Sequence, residues 1–411
     1  MCGEWQKTTP EDLTAGTGRR KMLGAGGHPP ETFRSFATQR RRRCADVPPD
    51  QPRTGPAEIR WPCRRSRARI AAMGLTVTPL DPADRPTLDA AYRIAEAARA
   101  VDEPDLPPTC RRRFEALLRH PMPGIDGRWA VARLDGVPLG WLRLHLHTLE
   151  NTENASVELV VDPAHRRRGI GRVLHEHGMR LLREHGGKRL VGSTAAALPG
   201  QEEREFPGAA FAAAMGAKAA NADVRRRLDV TALDRSRLAT LSAEARAAAT
   251  GYRTVHWRDH VPEEYASDVA HLEGRLLLDA PMGELAWEQQ KMDAQRKRGV
   301  ERALDARGVR RYNTGAVHEA SGRLVGWSQL SLDASSTEHA WQQITIVDSG
   351  HRGHRLGLLC KTTNLAYALG HEPALRNVDT WNAAANAHMI AINEQLGFRP
   401  AAGSVDWQLT I

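Results

Sequence analysis

From residue 74 onward the chain alternates between two hydrophobic rhythms, one of period two and one near 3.6 residues. Residues 75–80 alternate as a short strand, and apolar positions at helical spacing between about 85 and 120 predict two amphipathic helices. Residues 129–134 and 139–147 alternate about Gly136 as a hairpin, and residues 157–161 form a third strand. That strand runs into an arginine-rich turn and a helix over about 171–185. The series then recurs. Residues 252–257 open it as a strand, helices are expected near 263–278 and 284–305, and 309–318 pairs with 323–332 as a hairpin. A strand over 341–347, a second basic turn and a helix to about 369 follow. Strands and helices mixed in this way predict an α/β (α+β) fold.

The recurrence is visible residue by residue. VDPAHRRRGIG, from Val161 to Gly171, matches VDSGHRGHRLG, from Val347 to Gly357, 186 residues later. At the same offset Gly140-Trp141 falls on Gly326-Trp327, Leu144 on Leu330 and Leu146 on Leu332. A solenoid repeat spans roughly 20 to 50 residues, so a period this long is a duplicated domain. The organisation expected is a basic extension over 1–73, a first copy over 74–230, a helical linker over 231–250 rich in Ala, Leu, Arg and Glu, and a second copy over 251–411.

Composition refines the picture in a few places. The 411 residues are 41% hydrophobic and 26% charged, ordinary for a globular chain of two or three domains. No stretch approaches the roughly 18 to 20 apolar residues of a membrane span, and the glycines and prolines after Arg19-Arg20 cannot form a signal's hydrophobic segment, so a cytoplasmic location without membrane attachment is expected. The net charge of +9 lies almost wholly in residues 1–73, whose 13 Arg and 2 Lys against 7 acidic residues leave +8. With its Gly, Pro and Arg content and the run Arg40 to Arg43, that segment reads as disordered, and no specific nucleic-acid partner is expected. Translation starting at Met73 would remove it. Among the five cysteines, Cys110 and Cys360 fall in the folded part and read as small buried residues. No CxxC or HExxH spacing marks a metal site, so no metal is expected. His145 and His147 alternate on one strand without a third ligand and read as exposed, Trp141 and Trp327 as hairpin packing, and Arg225 to Arg227 as a solvated strand end.

The repeated turn carries the chemistry. A strand, a basic turn with glycine and a helix together hold phosphate, because the first free N–H groups of a helix point outward, its dipole favours negative charge and glycine permits close approach. Arg166, Arg167, Arg168, Gly169, Ile170 and Gly171 form one such turn, and Arg352, Gly353, His354, Arg355, Leu356 and Gly357 the other. The first fits the R/Q-x-x-G-x-G/A pattern of the GNAT N-acetyltransferases. The second resembles it except that Arg355 stands where the first glycine belongs, which is sterically acceptable unless φ there must be positive. Downstream, Asn386-x-x-Met389 leading to Asn393 and Gly397-Phe398 is similar to the family's N-x-x-A-x-x-x-Y-x-x-x-G-F segment, with Asn393 in the place of the tyrosine. In the first copy Ala212 takes that place and Ala217 that of the phenylalanine.

The resemblance covers about residues 75–411 and implies two tandem domains, each a mixed, mostly antiparallel sheet flanked by helices, an arrangement similar to tandem members such as mycothiol synthase. It implies acetyl-CoA as acyl-donor cosubstrate, gripped by backbone amides of the turn, and direct attack by a neutral amine of a small molecule or peptide. A splayed or bulged fourth strand would meet the pantetheine arm, at Ile346 and Val347 and at Val161 in the first copy, and Asn386 would meet the coenzyme. Glu338, with His339 beside it, is the candidate base, and Asn393 can donate a hydrogen bond but no proton at a usable pKa. Glu158, on the first copy's sheet face, has Ile344 as its counterpart. These features favour chemistry in the second copy, in a monomer or homodimer. A catalytically weak coenzyme A-binding regulatory protein is the alternative.

Overall fold

The first copy opens with β1 (Leu75–Pro79), followed by α1 (Arg85–Asp102) and α2 (Arg111–Arg119). Asp84 caps α1 by accepting from the Thr87 amide at 3.1 Å, and Leu88, Ala91, Ile94 and Ala98 lie buried at helical spacing. β2 (Ile125–Leu134), β3 (Val137–His147) and β4 (Asn154–Val161) then build an antiparallel meander, in which Leu142, Leu144 and Leu146 alternate inward. α3 (Ile170–Glu184), β5 (Arg189–Ala196), α4 (Pro207–Ala214) and β6 (Lys218–Asp229) complete it. The linker is the helix α5 (Arg235–Ala248), capped by Asp234. The second copy repeats the series with β7 (Tyr252–Arg258), α6 (Ala266–Gly274), the short α7 (Leu276–Asp279), α8 (Ala294–Ala306), β8 (Arg310–His318), β9 (Leu324–Leu332) and β10 (His339–Val347). It closes with α9 (Leu356–His371), β11 (Asn377–Ala383), α10 (Ala387–Gln395) and β12 (Arg399–Thr410). The computed structural model describes residues 74–198 and 206–411; the expectations for 1–73, with Cys2, Cys44 and Cys63, lie outside the described residues.

The strands join in one mostly antiparallel sheet of order β1-β2-β3-β4-β5-β12-β6-β11-β10-β9-β8-β7. Its centre departs from two domains laid end to end. β12, the last strand of the second copy, pairs with β5 of the first from Gly403↔Ala196 to Thr410↔Arg189. β6, the last strand of the first copy, pairs with β11 of the second from Asn377↔Asp229 to Ala383↔Asp223. β6 and β12 pair with each other. The two copies thus exchange their final strands, and the boundary at 230 marks the repeat in sequence without separating two sheets.

The helix expected near 284–305 forms only from Ala294, where Asp293 supplies the cap. The residues before it are captured by the first copy. The Glu284 amide donates to the Ala220 carbonyl at 2.7 Å, the Glu288 amide to Asn151 Oδ1 at 2.6 Å, and Asn154 Nδ2 to the Ala286 carbonyl at 2.5 Å. A chain whose amides are already paired across the interface gains nothing by coiling.

Arg225 to Arg227 are likewise not a solvated strand end. Arg225 is fully buried, donates to the equally buried Asp379 at 2.7 Å and pairs with Asp105 of the α1–α2 loop. Arg227 holds Asp379 through two bonds of 2.7 Å, and His339 Nε2 lies 3.0 Å from the same carboxylate. Burial alone would raise the Asp379 pKa, yet the hydrogen bonds from Arg227 and His339 and the two guanidinium charges hold it well below the usual carboxylate range. The cluster joins the loop of one copy to strands of the other.

Strand exchange makes a definite prediction. Fragments 74–232 and 233–411, expressed separately, leave β5 or β11 without its exchanged partner along one edge and should aggregate, whereas co-expressed fragments should copurify as one complex on size exclusion. Two fragments that each fold alone would contradict the exchange.

Candidate active site

Both basic turns have the same backbone. Arg167 (φ 65°) and Gly169 (φ 87°) are left-handed in the first, and Gly353 (φ 90°) and Arg355 (φ 54°) at the matching positions of the second. The pattern demands positive φ twice, and each copy places glycine at one position and arginine at the other. Arg355 meets the one condition under which an arginine there was not expected to be acceptable, a positive φ, and is strained at about 1–2 kcal/mol for a left-handed non-glycine residue. No side chain caps α3 or α9, so the first-turn amides of Ile170, Gly171 and Arg172, and those of Leu356 and Gly357, are left without a partner inside their helices.

The arginines are used differently. Arg166 donates to both oxygens of Asp102 at 2.8 and 2.6 Å and reaches back to the Val161 carbonyl at 3.4 Å, so its side chain fastens the turn to the end of α1. Arg352 repeats this with Asp279, at 3.1 Å, and the Val347 carbonyl, at 3.3 Å. Among the described residues Arg167, Arg168 and Arg172 have no ion pair, whereas Arg355 lies 3.5 Å from Glu244. In the second turn His351 Nδ1 also meets the Tyr252 hydroxyl at 2.9 Å, and the His354 ring packs on Tyr252. The first turn keeps free positive charge for an anion, and the second has its arginines tied.

Beyond each turn the sheet opens. β4 pairs with β5 only from Asn154 to Ser156, and β10 with β11 only from His339 to Trp341, so the later residues of β4 and β10 present a free backbone edge. Both strands splay, but only β10 carries a bulge, between Gln342 and Thr345. That bulge is internally satisfied, since Gln342 Nε2 donates to the Gln329 and Ile344 carbonyls at 2.9 Å each. Val161, Ile346 and Val347 turn their side chains into hydrophobic clusters, which leaves their backbone as the part open to a ligand.

A cavity of about 1010 Å³ occupies the first opening. It runs from Arg166, Arg167, Gly169 and Gly171 along Glu158 to Val161, and ends among Glu103, Cys110, Phe114, Trp129 and Trp141. Asp333, Trp341, Gln343 and Trp381 of the second copy complete its wall. Trp129 and Trp141 stack at 5.4 Å, with Phe114 edge-on to both. Glu158 pairs with Arg143, and Asp333 with Arg113 at 2.9 Å. The half-buried Glu103 carboxylate has no partner among the described residues, and burial pushes its pKa up against the opposing pull of Arg225.

The GNAT family model, described as an acetyltransferase family, matches residues 88–200. A tandem GNAT protein from the clavulanic acid biosynthesis pathway is 35% identical, with 82% of this chain and 98% of that chain covered and a TM-score of 0.70. The chain belongs to the GNAT family. A GCN5-related N-acetyltransferase from Sphaerobacter thermophilus, 16% identical with a TM-score of 0.53 over 82% of this chain and 95% of that one, shares the fold. So does a glucosamine N-acetyltransferase region of a fungal multi-domain GH3 β-N-acetylglucosaminidase, 12% identical with a TM-score of 0.58 over 82% of this chain and 38% of that one. No curated protein matches. GNAT proteins normally use acetyl-CoA, and the uncapped α3 amides, free guanidinium groups and open β4 edge fit such a molecule.

Within this tandem GNAT frame the two residues expected to act chemically are elsewhere. Glu338 is 61% exposed at the far end of β10 from the turn, paired with the equally exposed Arg376 at 3.1 Å. Asn393 is fully buried; its Nδ2 donates to Asn382 at 2.5 Å and its Oδ1 accepts from Lys361. Enclosed in this way, it presents no donor to the cleft. Asn386 caps α10 by accepting from the Met389 amide at 3.2 Å. His145 and His147 are half-buried instead of exposed, and burial together with Arg143 brings His145 down to about 4. Cys110 and Cys360 are buried as expected. Among the described residues no group of His, Cys, Asp or Glu could hold a metal ion, and no helix is long and apolar enough to cross a membrane. Glu103 and the wall residues of the second copy were missed, because contacts between segments some 200 residues apart leave no periodic trace.

Lys361 gives this region a measurable signature. Burial brings its pKa from 10.5 down to about 7, so between these values the folded chain binds fewer protons than the unfolded one. Its contribution is complete above 10.5 and is lost as pH falls towards 7. Urea unfolding between pH 7 and 9 should show stability rising with pH by at most about 1.4 kcal/mol per unit from this group, and that component should vanish in Lys361→Met.

Proposed function

We propose that the protein transfers an acetyl group from acetyl-CoA to an amine of a small molecule or peptide, and that the first copy's cleft is the site of transfer. The observation that carries this is the continuous cavity linking the basic turn with its unpaired Arg167, the free edge of β4 and an unpartnered carboxylate. In the first copy the amides of Ile170, Gly171 and Arg172, with Arg167 and Arg168, hold the pyrophosphate. The open backbone of Val157 to Val161 orients the pantetheine arm. Bound there, acetyl-CoA supplies an acyl group already activated as a thioester. Glu103 receives the proton released by the acceptor nitrogen, and burial raises its pKa, the direction that strengthens a carboxylate as a base. Phe114, Trp129 and Trp141 exclude water from the reacting end. The second copy keeps the fold of the turn but has its arginines engaged and Asn393 enclosed, which favours a supporting role over the catalytic one expected for it.

Thiol release from acetyl-CoA, measured against a mixed panel of amines, tests the assignment. A Cβ at Gly171 would lie 3.2 Å from Phe211, and a carboxylate there would repel phosphate. Gly171→Glu should abolish turnover while Gly357→Glu retains most of it; the reverse result would return the chemistry to the second copy. Glu103→Gln should lower kcat/KM by about 10²-fold or more and remove the loss of activity towards acid pH that a base must show. Calorimetric binding of acetyl-CoA without turnover of any amine would favour the regulatory alternative.

A further inference from the structure

The acceptor half of the cavity belongs to both copies. Trp341 and Gln343 lie two residues apart on β10, and Asp379 and Trp381 two apart on β11, where Trp341 is in register with Asp379 and Trp381 with Arg225. These side chains share one sheet face, because residues two apart in a strand and directly opposed across strands point the same way. Onto that face comes the α1–α2 loop of the first copy, held at Asp105 by Arg225 and Arg227. At its start Asp102 is fastened to Arg166 of the coenzyme turn. Glu103 lies between these two anchors, so the loop brings a carboxylate of one copy to the tryptophan-bearing sheet of the other.

The charges there are unequal. Arg113 is neutralised by Asp333, Arg143 by Glu158, and Arg225 by Asp105 and Asp379; Arg99 is held by Glu96 at 3.3 Å and by the Leu106 carbonyl at 2.8 Å. Glu103 remains as the carboxylate without a hydrogen-bond or ion-pair partner among the described residues of this half. A carboxylate-bearing acceptor would find each arginine already paired and would meet Glu103 as a like charge. An ammonium finds an opposite charge and indole faces, which attract cations.

We infer that the acceptor is a primary ammonium on an apolar, ring-bearing body, seated between the copies with its charge at Glu103 and its body against Trp341 and Trp381. The second copy thus serves as the specificity wall of the first copy's site. This inference rests on the proposed function for its chemistry, but binding can be tested without turnover.

The probe is 2-phenylethylamine, with 3-phenylpropionate as its anionic counterpart, titrated against the full chain by tryptophan fluorescence and calorimetry. The amine should bind saturably and the acid should not. Trp341→Ala and Trp381→Ala should each weaken the amine by about tenfold or more, as expected for a desolvated cation–aromatic contact. Thermal melting and calorimetric acetyl-CoA affinity, both expected to remain as in the parent, show that these variants fold. Saturable binding of the acid in preference to the amine would overturn the inference, as would no response to the amine or an affinity indifferent to both tryptophans. Amine binding without thiol release would leave the inference standing and remove the transferase reading; thiol release indifferent to Trp341 and Trp381 would do the opposite.

Discussion

The constraint on which the rest depends is that neither copy ends in its own sheet. β12 fills the place beside β5, and β6 the place beside β11, so each copy's opening is bounded by a strand its partner stabilises. An unpaired β5 would be an exposed edge and a template for wrong pairing. Because the exchanged strands also pair with each other, the sheet continues through the junction, and the two openings are held in a set relation by main-chain hydrogen bonds.

Side chains fasten the same junction a second time. The α1–α2 loop is tied to the first basic turn through Asp102 and Arg166, and to the second copy through Asp105, Arg225 and Asp379. Within this set the fully buried Arg225–Asp379 pair adds little net stability, but removing one partner leaves the other uncompensated at about 3–5 kcal/mol. Their value is geometric. They set how far the loop reaches over the cavity, and with it where Glu103 sits.

Much of this was legible in the sequence. The strands and helices followed the two hydrophobic periods, and the shared turn of Val161–Gly171 and Val347–Gly357 revealed the duplication. The second turn satisfies the same left-handed requirement with glycine at 353 instead of 355, so a motif read by its glycines fits it less well than its backbone does. Illegible were the features made by distant pairing. Arg225 to Arg227 look like any charged strand end until Asp379 and Asp105 arrive from elsewhere. Residues 284–293 looked helical because nothing local announced that Asn151 and Asn154 would take their backbone groups. Asn393 matched a motif position, yet the Lys361 packed beneath it decides what it can do.

The tied arginines of the second turn bear on what a fused pair of copies allows. A symmetric homodimer is one gene, so any change that closes one site closes its twin. Joining two copies in a single reading frame lifts that obligation, provided each still supplies the strand its neighbour lacks. Selection on the second copy can then act on its outer face as a surface, free of the demand that its own cleft turn over substrate. Arg355 leaning on Glu244, and Tyr252 against His351 and His354, are differences between the copies of the kind that a fused chain permits and an identical pair does not.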